Sequence, residues 1–148
     1  MILSESHRTS SVDQCRIIDL ERHENANGTL SVVENSNLFP FAIKRVYYLY
    51  DIPGGAERGG HSHHQEQRLI IAVSGCFDVI VDDGHRKAIF SLNRPYHALY
   101  IPAGIWRVVD NFSSGSVCLA LTSNIYDPDD YVRDYDTFLQ LTAIKQPL

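Results

Sequence analysis

The 148-residue sequence has few cysteines and no hydrophobic run long enough to span a membrane. Its three cysteines, Cys15, Cys76 and Cys118, are widely spaced and form no paired motif, which predicts free thiols in a reducing cytoplasm. No apolar stretch approaches the roughly 18 residues of a transmembrane helix. The N-terminal residues also lack the charged and apolar regions of a signal peptide. We therefore expect a cytoplasmic chain with no membrane partner.

Positive charge is scarce as well. Thirteen Lys and Arg residues stand against eighteen Asp and Glu residues, which gives a formal net charge of −5. A nucleic-acid-binding protein carries a basic stripe, so this balance argues against nucleic acid as a partner. The 44% hydrophobic and 21% charged residues are typical of a globular domain. Histidine is unusually clustered, because three of the seven histidines are His61, His63 and His64.

Short segments rich in β-branched and aromatic residues dominate the sequence, and turn residues separate them. They recur at roughly 8–12-residue spacing, which is typical of an antiparallel sandwich or barrel. Asp83-Gly84 lies between two alternating segments and predicts a hairpin. We expect one all-β domain over residues 15–148. The predicted strands cover residues 16–20, 29–34, 43–51, 67–74, 76–82, 85–91, 97–101, 105–111 and 117–123.

The two ends of the chain differ from this strand-rich body. Residues 127–130 resemble a capped helix start, and Tyr131, Tyr135 and Phe138 recur at helical spacing, which predicts a short C-terminal helix. The first residues are polar, which predicts a flexible tail over residues 1–14.

The histidine cluster lies on a predicted strand. Alternation along a strand places His61 and His63 on one face, together with Gln65 and Gln67. Gly55 precedes the cluster by five intervening residues. Two imidazoles therefore point into the same space.

A second block follows, in which Pro102 and Gly104 precede Arg107 and Asn111. The two blocks together resemble the two motifs of the cupin superfamily, which implies a double-stranded β-helix of the jelly-roll type. Gln67 stands where the first motif commonly has Glu, and Arg107 stands where the second has His.

These two replacements predict a site without a metal ion or other cofactor. A metal-binding cupin offers three imidazoles and a carboxylate. This chain would offer two imidazoles, the neutral amide of Gln67 and the permanent cation of Arg107, which repels a divalent ion. Glu66 does not restore the site, because alternation points it to the opposite face. Imidazoles, arginines and tyrosines together suit an anionic, hydroxylated small molecule.

Further segments resemble the sugar-nucleotide 3,4-ketoisomerases, which are metal-free cupins of the WxcM-like family. The resemblance implies an isomerase that moves the ketone of dTDP-4-keto-6-deoxyglucose from C4 to C3 through an enediol, in dTDP-3-amino-3,6-dideoxyhexose biosynthesis. The segments that carry it are residues 44–48, 58–63, 74–75, 81–84, 101–106, 111–113 and 131–139.

The resemblance also implies roles for individual residues. A base with a pKa near 7 suits the proton transfer, and we expect His63 to act at C3 and His61 in the second transfer, with the reverse order open. Tyr48 and Arg58 are expected to orient the substrate and stabilise oxyanion charge. The expected substrate-binding residues are Arg45, Gln67, Arg107 and Asn111.

The family resemblance further implies a homodimer that exchanges N-terminal strands, here about residues 15–34. Relatives carry His or Arg at the position of Arg107, and Arg107 favours the product with the gluco configuration at C4. Two alternatives remain open from the sequence. One is a non-catalytic cupin that binds a sugar nucleotide, and the other is a different cupin enzyme, either a sugar epimerase or isomerase or a metal-dependent oxygenase.

Overall fold

The segments with period-two alternation form the strands of the computed structural model, which describes residues 7–143. The strands that it contains within that range are β1 Arg16–Asp19, β2 Arg22–Asn25, β3 Gly28–Ser31, β4 Arg45–Leu49, β5 Arg58–His63, β6 Arg68–Ser74, β7 Phe77–Asp82, β8 Lys87–Leu92, β9 His97–Ile101, β10 Trp106–Asp110, β11 Val117–Thr122 and β12 Tyr131–Val132. A helix, α1, spans Tyr135–Ala143, and short 3₁₀ turns span Val12–Gln14 and Pro128–Asp130. No helix within residues 7–143 is both long and apolar enough to cross a membrane.

The strands form two five-stranded antiparallel sheets and one separate hairpin. The first sheet has the order β1-β9-β6-β11-β4, the second has the order β12-β5-β10-β7-β8, and β2 pairs with β3. Apart from the β7–β8 hairpin, neighbours in the two five-stranded sheets are distant in sequence, as in a jelly roll. The predicted all-β cupin fold with a short C-terminal helix is confirmed.

The hydrophobic core lies between the two sheets. Ile70, Val79, Leu99 and Val109 are buried there, because alternate residues of each strand point inward. The outer faces are also covered, the first sheet by a cluster around Phe39 and the second by Trp106, Val132 and Phe138 beside α1.

The predicted hairpin at Asp83-Gly84 is present between β7 and β8. Gly84 has a φ of +89°, and Asp83 Oδ1 accepts hydrogen bonds from the backbone of His85 and Arg86. The carboxylate of Asp83 therefore organises a loop longer than the two residues of the tightest hairpins.

The C-terminal region differs from the helix predicted from Tyr131 onward. Asp127 caps a single 3₁₀ turn, with its Oδ1 accepting from the backbone of Asp129 at 3.0 Å. The chain then extends as β12 and pairs with β5, and the helix begins only at Tyr135. Pairing with a sheet edge outweighs the helical spacing of these residues.

The N-terminal segment packs differently from the tail predicted over residues 1–14. Ser11 and Gln14 form a reciprocal capping box around the 3₁₀ turn, and Val12 is buried. The backbone N–H of Val12 donates to Asp83 Oδ2 at 2.9 Å. Residues 7–14 are thus an ordered part of the domain, and residues 1–6 lie outside the described residues.

Candidate active site

A cleft of about 270 Å³ opens between the two sheets, with β4 and β11 on one wall and β5, β10 and β12 on the other. Its polar lining includes Arg45, Arg58, Arg107, Arg133, His61 and Tyr47. A pocket with this donor set fits a small anion that also carries hydroxyl or carbonyl groups.

Tyr47, which lies beside the predicted residue Tyr48, is the tyrosine of β4 that faces the cleft. In the β4–β11 register Tyr47 lies opposite Ala120, which lines the cleft, and Tyr48 lies opposite Leu119 on the outer face. Tyr48 is 60% exposed and does not reach the site. The expectation of Tyr48 as a catalytic residue is therefore corrected, because the odd-numbered residues of β4 point inward.

His61 lies at the wall of the cleft, opposite Arg107 in the β5–β10 register. Its Nε2 atom is buried and makes no hydrogen bond within the described residues. Burial, Arg107 and Arg68 lower the pKa of His61 to about 3. The ring is therefore a neutral imidazole with a nitrogen available to a bound molecule.

His63 lies deeper than His61, with the two ring centroids 5.0 Å apart. It is 3% exposed, and Arg68 Nη2 lies 2.9 Å from its Nε2 and 3.2 Å from its Nδ1. Glu66 Oε2 also lies 3.3 Å from His63 Nε2. A guanidinium only donates hydrogen bonds, so at least one of the two ring nitrogens that Arg68 contacts is unprotonated. Burial and the charges of Arg68 and Arg107 lower the pKa of His63, and this ring is already hydrogen-bonded inside the protein.

Glu66, expected to point away from the site, is buried against it. Its carboxylate pairs with Arg68, and its Oε1 lies 3.4 Å from Arg45 Nη2. The alternation argument fails here because residues 64–67 form a turn between β5 and β6. Asp130 accepts the backbone N–H of Gln65 and of Glu66 at 2.9 and 3.0 Å and fixes that turn.

Gln67 and Asn111, both expected to bind substrate, lie outside the cleft. Gln67 Oε1 accepts from the Tyr100 hydroxyl at 2.6 Å on the outer side of the first sheet, because the same turn changes the face. Asn111 follows β10 with a φ of +56°, and its Nδ2 donates to Asp78 at 3.1 Å. Asn111 shapes a turn, and the left-handed backbone explains why Asn occupies the motif position.

Positive charge dominates the buried wall of the site. Arg107 is 4% exposed, and its pKa falls to about 10 because of burial and the nearby Arg68. Burial opposes ionisation of Tyr47, but Arg68 and Arg107 outweigh it and lower the pKa of this phenol. The arrangement therefore favours negative charge on a bound molecule or on Tyr47.

Two further cleft residues come from the segment around β12, which the sequence analysis assigned to a helix. Tyr131 lies opposite His63 in the β5–β12 register, and its ring centroid is 4.4 Å from that of His63 and 5.0 Å from that of His61. The guanidinium of Arg133 lies 4.2 Å from the Tyr131 ring centroid. The sequence signal that could have identified Tyr131 and Arg133 is the match of residues 131–139 to the family pattern.

Comparisons with known proteins bear on this site. The TDP-4-oxo-6-deoxy-alpha-D-glucose-3,4-oxoisomerase of Aneurinibacillus thermoaerophilus is 34% identical over 128 residues, covering 86% of this chain and 92% of the relative. The solved TDP-quinovose 3,4-ketoisomerase of Campylobacter jejuni is 40% identical, with a TM-score of 0.82 and coverage of 86% of this chain and 98% of that one.

A third relative is a histidine-to-asparagine mutant of the 3,4-ketoisomerase of Thermoanaerobacterium thermosaccharolyticum, solved in complex with TDP-4-keto-6-deoxyglucose. It is 32% identical, with a TM-score of 0.82 and coverage of 85% of this chain and 91% of that one. The sequence model of the family described as FdtA: WxcM-like, C-terminal matches residues 13–143. The resemblance predicted from the motifs is therefore confirmed, and the chain belongs to the WxcM-like family of 3,4-ketoisomerases.

Proposed function

We propose that this protein is an isomerase that converts dTDP-4-keto-6-deoxyglucose into the 3-keto isomer, in dTDP-3-amino-3,6-dideoxyhexose biosynthesis. The observation that carries the proposal is the neutral His61, which lines an arginine-rich cleft and whose buried Nε2 has no partner within the described residues. The named activities of the three relatives support the same substrate class. No redox cofactor is needed, because the isomerisation moves hydrogens within one sugar.

The reaction requires two proton relocations. A base removes the C3 proton, the electron pair forms the C3–C4 double bond, and O4 gains a proton to give an enediol. O3 then loses its proton as the ketone forms at C3, and C4 accepts a proton. The balance is one hydrogen moved from C3 to C4 and one moved from O3 to O4.

The geometry supports His61 as the base at C3, the reverse of the order expected first. Neutral imidazole can accept a proton, and the Nε2 of His61 has no competing hydrogen bond within the described residues. His63 is engaged by Arg68 and lies behind the cleft wall. We assign His63 to fixing the ring of His61, which it contacts edge-on with an interplanar angle of 80°.

Tyr47 is suited to the proton transfers at O3 and O4 and to the donation of the proton to C4. It reaches the cleft from the first sheet and His61 reaches it from the second, so the two groups lie on opposite walls. In a gluco product the C4 hydrogen lies on the ring face opposite the original C3 hydrogen, which requires a donor other than the base. The gluco configuration is further supported by Arg107 beside His61 and by the 40% identity to a TDP-quinovose enzyme.

The arginines divide between the sugar and the nucleotide. Arg107 is buried beside His61, where it stabilises developing negative charge on the enediol oxygens. Arg58 and Arg133 are exposed at the cleft, where bidentate contacts to a diphosphate are sterically open. Arg45 lies on β4, where it contacts both Glu66 and the Tyr47 ring face.

A homodimer with exchange of about residues 15–34 is part of the proposal, in which β1, paired here with β9 of its own chain, would pair with the partner's β9 instead. The β2–β3 hairpin is exposed along its whole length and pairs only with itself within the described residues. Strand β4 is a sheet edge, and Tyr48 on this strand and Tyr50 just after it are exposed. A second copy would cover these groups, and light scattering of the purified protein tests it. The free thiols of Cys15, Cys76 and Cys118 support the proposed cytoplasmic location.

The decisive experiment is incubation with dTDP-4-keto-6-deoxyglucose in deuterated water, followed by NMR. A new 3-keto signal with deuterium at C4 is expected, and its coupling pattern reports the C4 configuration. His61→Asn should abolish exchange, while Tyr48→Phe serves as a control outside the cleft. Tight binding without any proton exchange would instead identify a non-catalytic sugar-nucleotide-binding cupin, and activity lost on chelation would identify a metal-dependent enzyme.

A further inference from the structure

A buried ion pair lies directly behind the cleft. Arg68 is 1% exposed and Glu66 is 4% exposed, and neither contributes to the cleft lining. Burial of an ion pair removes its hydration and by itself gives little net stability. Its contacts with the groups that do face the cleft therefore indicate what it does.

Arg68 joins the two sheets at the site. Its Nη1 donates to Tyr47 Oη at 2.5 Å, and its Nη2 contacts the His63 ring. Because a guanidinium carries donors only, the Tyr47 oxygen accepts this bond and its own hydrogen must point elsewhere. The direction that remains is the cleft, where Tyr47 forms part of the wall.

Glu66 holds the guanidinium of Arg68 in place. Its Oε2 binds Arg68 Nη2, and its Oε1 reaches Arg45. The Glu66 backbone is anchored in turn by Asp130. The carboxylate therefore fixes the orientation of two guanidinium groups that contact Tyr47, one by hydrogen bond and one over its ring.

We propose that Arg68, oriented by Glu66, is a positioning residue that aims the Tyr47 hydroxyl hydrogen into the cleft and keeps the His63 ring neutral and fixed. This inference rests on the proposed function, in which Tyr47 exchanges a proton with the sugar. It adds two residues that act only through other side chains. Neither Arg68 nor Glu66 touches the reacting atoms.

Several charged or titratable groups face the three residues whose titration is at issue. Around His63 these are Arg68, Arg107, Arg45, His61 and Glu66, whose Oε2 lies 3.3 Å from His63 Nε2. Around His61 these are Arg107 from β10, Arg68 from β6, and Arg133 after β12, with His63 beside it on β5. Around Tyr47 they are Arg68, Arg107, Glu66 and Cys118, together with Arg45 over its ring. Removing the Arg68 charge raises the pKa of both His61 and Tyr47, because Arg68 lowers both.

The test compares Arg68→Met, which removes the charge, with Arg68→Lys, which keeps the charge but has a single ammonium group in place of the two guanidinium nitrogens that contact Tyr47 and His63. For Arg68→Met we expect kcat to fall by about a hundredfold and the acid limb of kcat/KM to move up by about one pH unit. For Arg68→Lys we expect lower kcat with an acid limb that stays in place. Arg86→Met, which removes an exposed guanidinium, is the matched control and should change neither quantity.

Two measurements remain informative without activity or if Arg68→Met does not fold. In wild-type protein, ¹⁵N NMR of the His63 ring should show a neutral imidazole at every pH at which the protein is folded, and a protonated ring near neutral pH would overturn the proposal. Ultraviolet titration of Tyr47, identified by its loss in Tyr47→Phe, should move to higher pH in Arg68→Met and less in Arg68→Lys. Identical titrations in wild type and a folded variant would also overturn it. If wild-type protein converts no substrate, the proposed function fails, while these two measurements still decide the role of Arg68.

Discussion

Substitution of Tyr47 or Tyr48 by phenylalanine identifies which tyrosine of β4 belongs to the active site. Tyr47→Phe removes the hydroxyl that accepts from Arg68, and Tyr48→Phe makes the identical change on the outward face of the same strand. The two residues are sequence neighbours, so they share backbone, strand and distance from the termini. Any difference between the variants therefore reports the face on which the hydroxyl lies.

The expected effect on catalysis follows from the role of Tyr47. A positioned acid or base typically contributes roughly 10²–10⁴-fold to the rate. Since the proposed first proton removal by His61 would remain, we expect the low end of that range, a fall in kcat of about a hundredfold for Tyr47→Phe. Tyr48→Phe should stay within about twofold of wild type, because its hydroxyl reaches no group of the cleft.

The expected effect on stability follows from Arg68. Its Nη1 is buried, and without the Tyr47 hydroxyl it loses a hydrogen bond that water cannot easily replace. Hydrogen bonds to charged groups contribute about 1.5–3 kcal/mol, so we expect a loss near 2 kcal/mol. For a domain of this size that lowers Tm by about 4–8 °C. Tyr48→Phe should change stability by no more than about 0.5 kcal/mol.

Both quantities are measured on the same protein preparations. NMR follows conversion of dTDP-4-keto-6-deoxyglucose at saturating concentration, and circular dichroism follows thermal unfolding. The reasoning is refuted if Tyr47→Phe keeps wild-type kcat while Tyr48→Phe loses it. Loss of activity in both variants with unchanged Tm would mean that the substrate contacts both faces of β4.

Three further predictions concern pH, phosphate recognition and a turn. The acid limb of kcat/KM should lie well below the ordinary His value of 6.5, because the pKa of His61 is about 3. The stability that His61 contributes is present above pH 6.5 and is lost as the pH falls toward 3, which acid unfolding will measure. Arg58→Gln should raise KM with little change in kcat if Arg58 binds the diphosphate, whereas an equal fall in kcat would place it at the sugar. Gly84→Ala should be less stable than Gly115→Ala in denaturant unfolding, since both have positive φ but only at Gly84 would a Cβ meet a side chain, Thr142, at 2.4 Å; equal losses would contradict the clash.

The strands and the His61 position could be predicted from the sequence because both depend on local alternation. Period-two patterns correspond to observed strands wherever a strand is covered on one or both faces, so most predicted strands lie within a few residues of the observed ones. Strand β2 was missed because its residues, Arg22–Asn25, include none of the β-branched or aromatic types typical of strands, whereas the equally exposed β3 begins with Gly28-Thr29-Leu30.

The rest of the site could not be predicted because a turn changes the sheet face on which the following residues lie, and alternation counted from the preceding strand does not include that change. Counting from His63 through the turn at 64–67 places Gln67 inside and Glu66 outside, and the structure has the opposite arrangement. Alternation likewise shows that Tyr47 and Tyr48 face opposite ways without saying which way is inward. The inward side is set by pairing with β11, which is a long-range contact and leaves no local signal.

The concentration of arginines in an acidic chain explains how a histidine with so low a pKa can serve as a base. Burial, Arg107 and Arg68 lower the pKa of His61 and hold its ring neutral, so the ring can accept a proton. Proton removal from C3 creates an imidazolium and an enediolate together, and the same guanidinium groups that oppose the first stabilise the second. A diphosphate bound as proposed would add negative charge near Arg58 and Arg133 and would raise the pKa of His61 within the complex. Substrate binding therefore supplies the charge that completes the site, which ties proton transfer to the presence of the nucleotide.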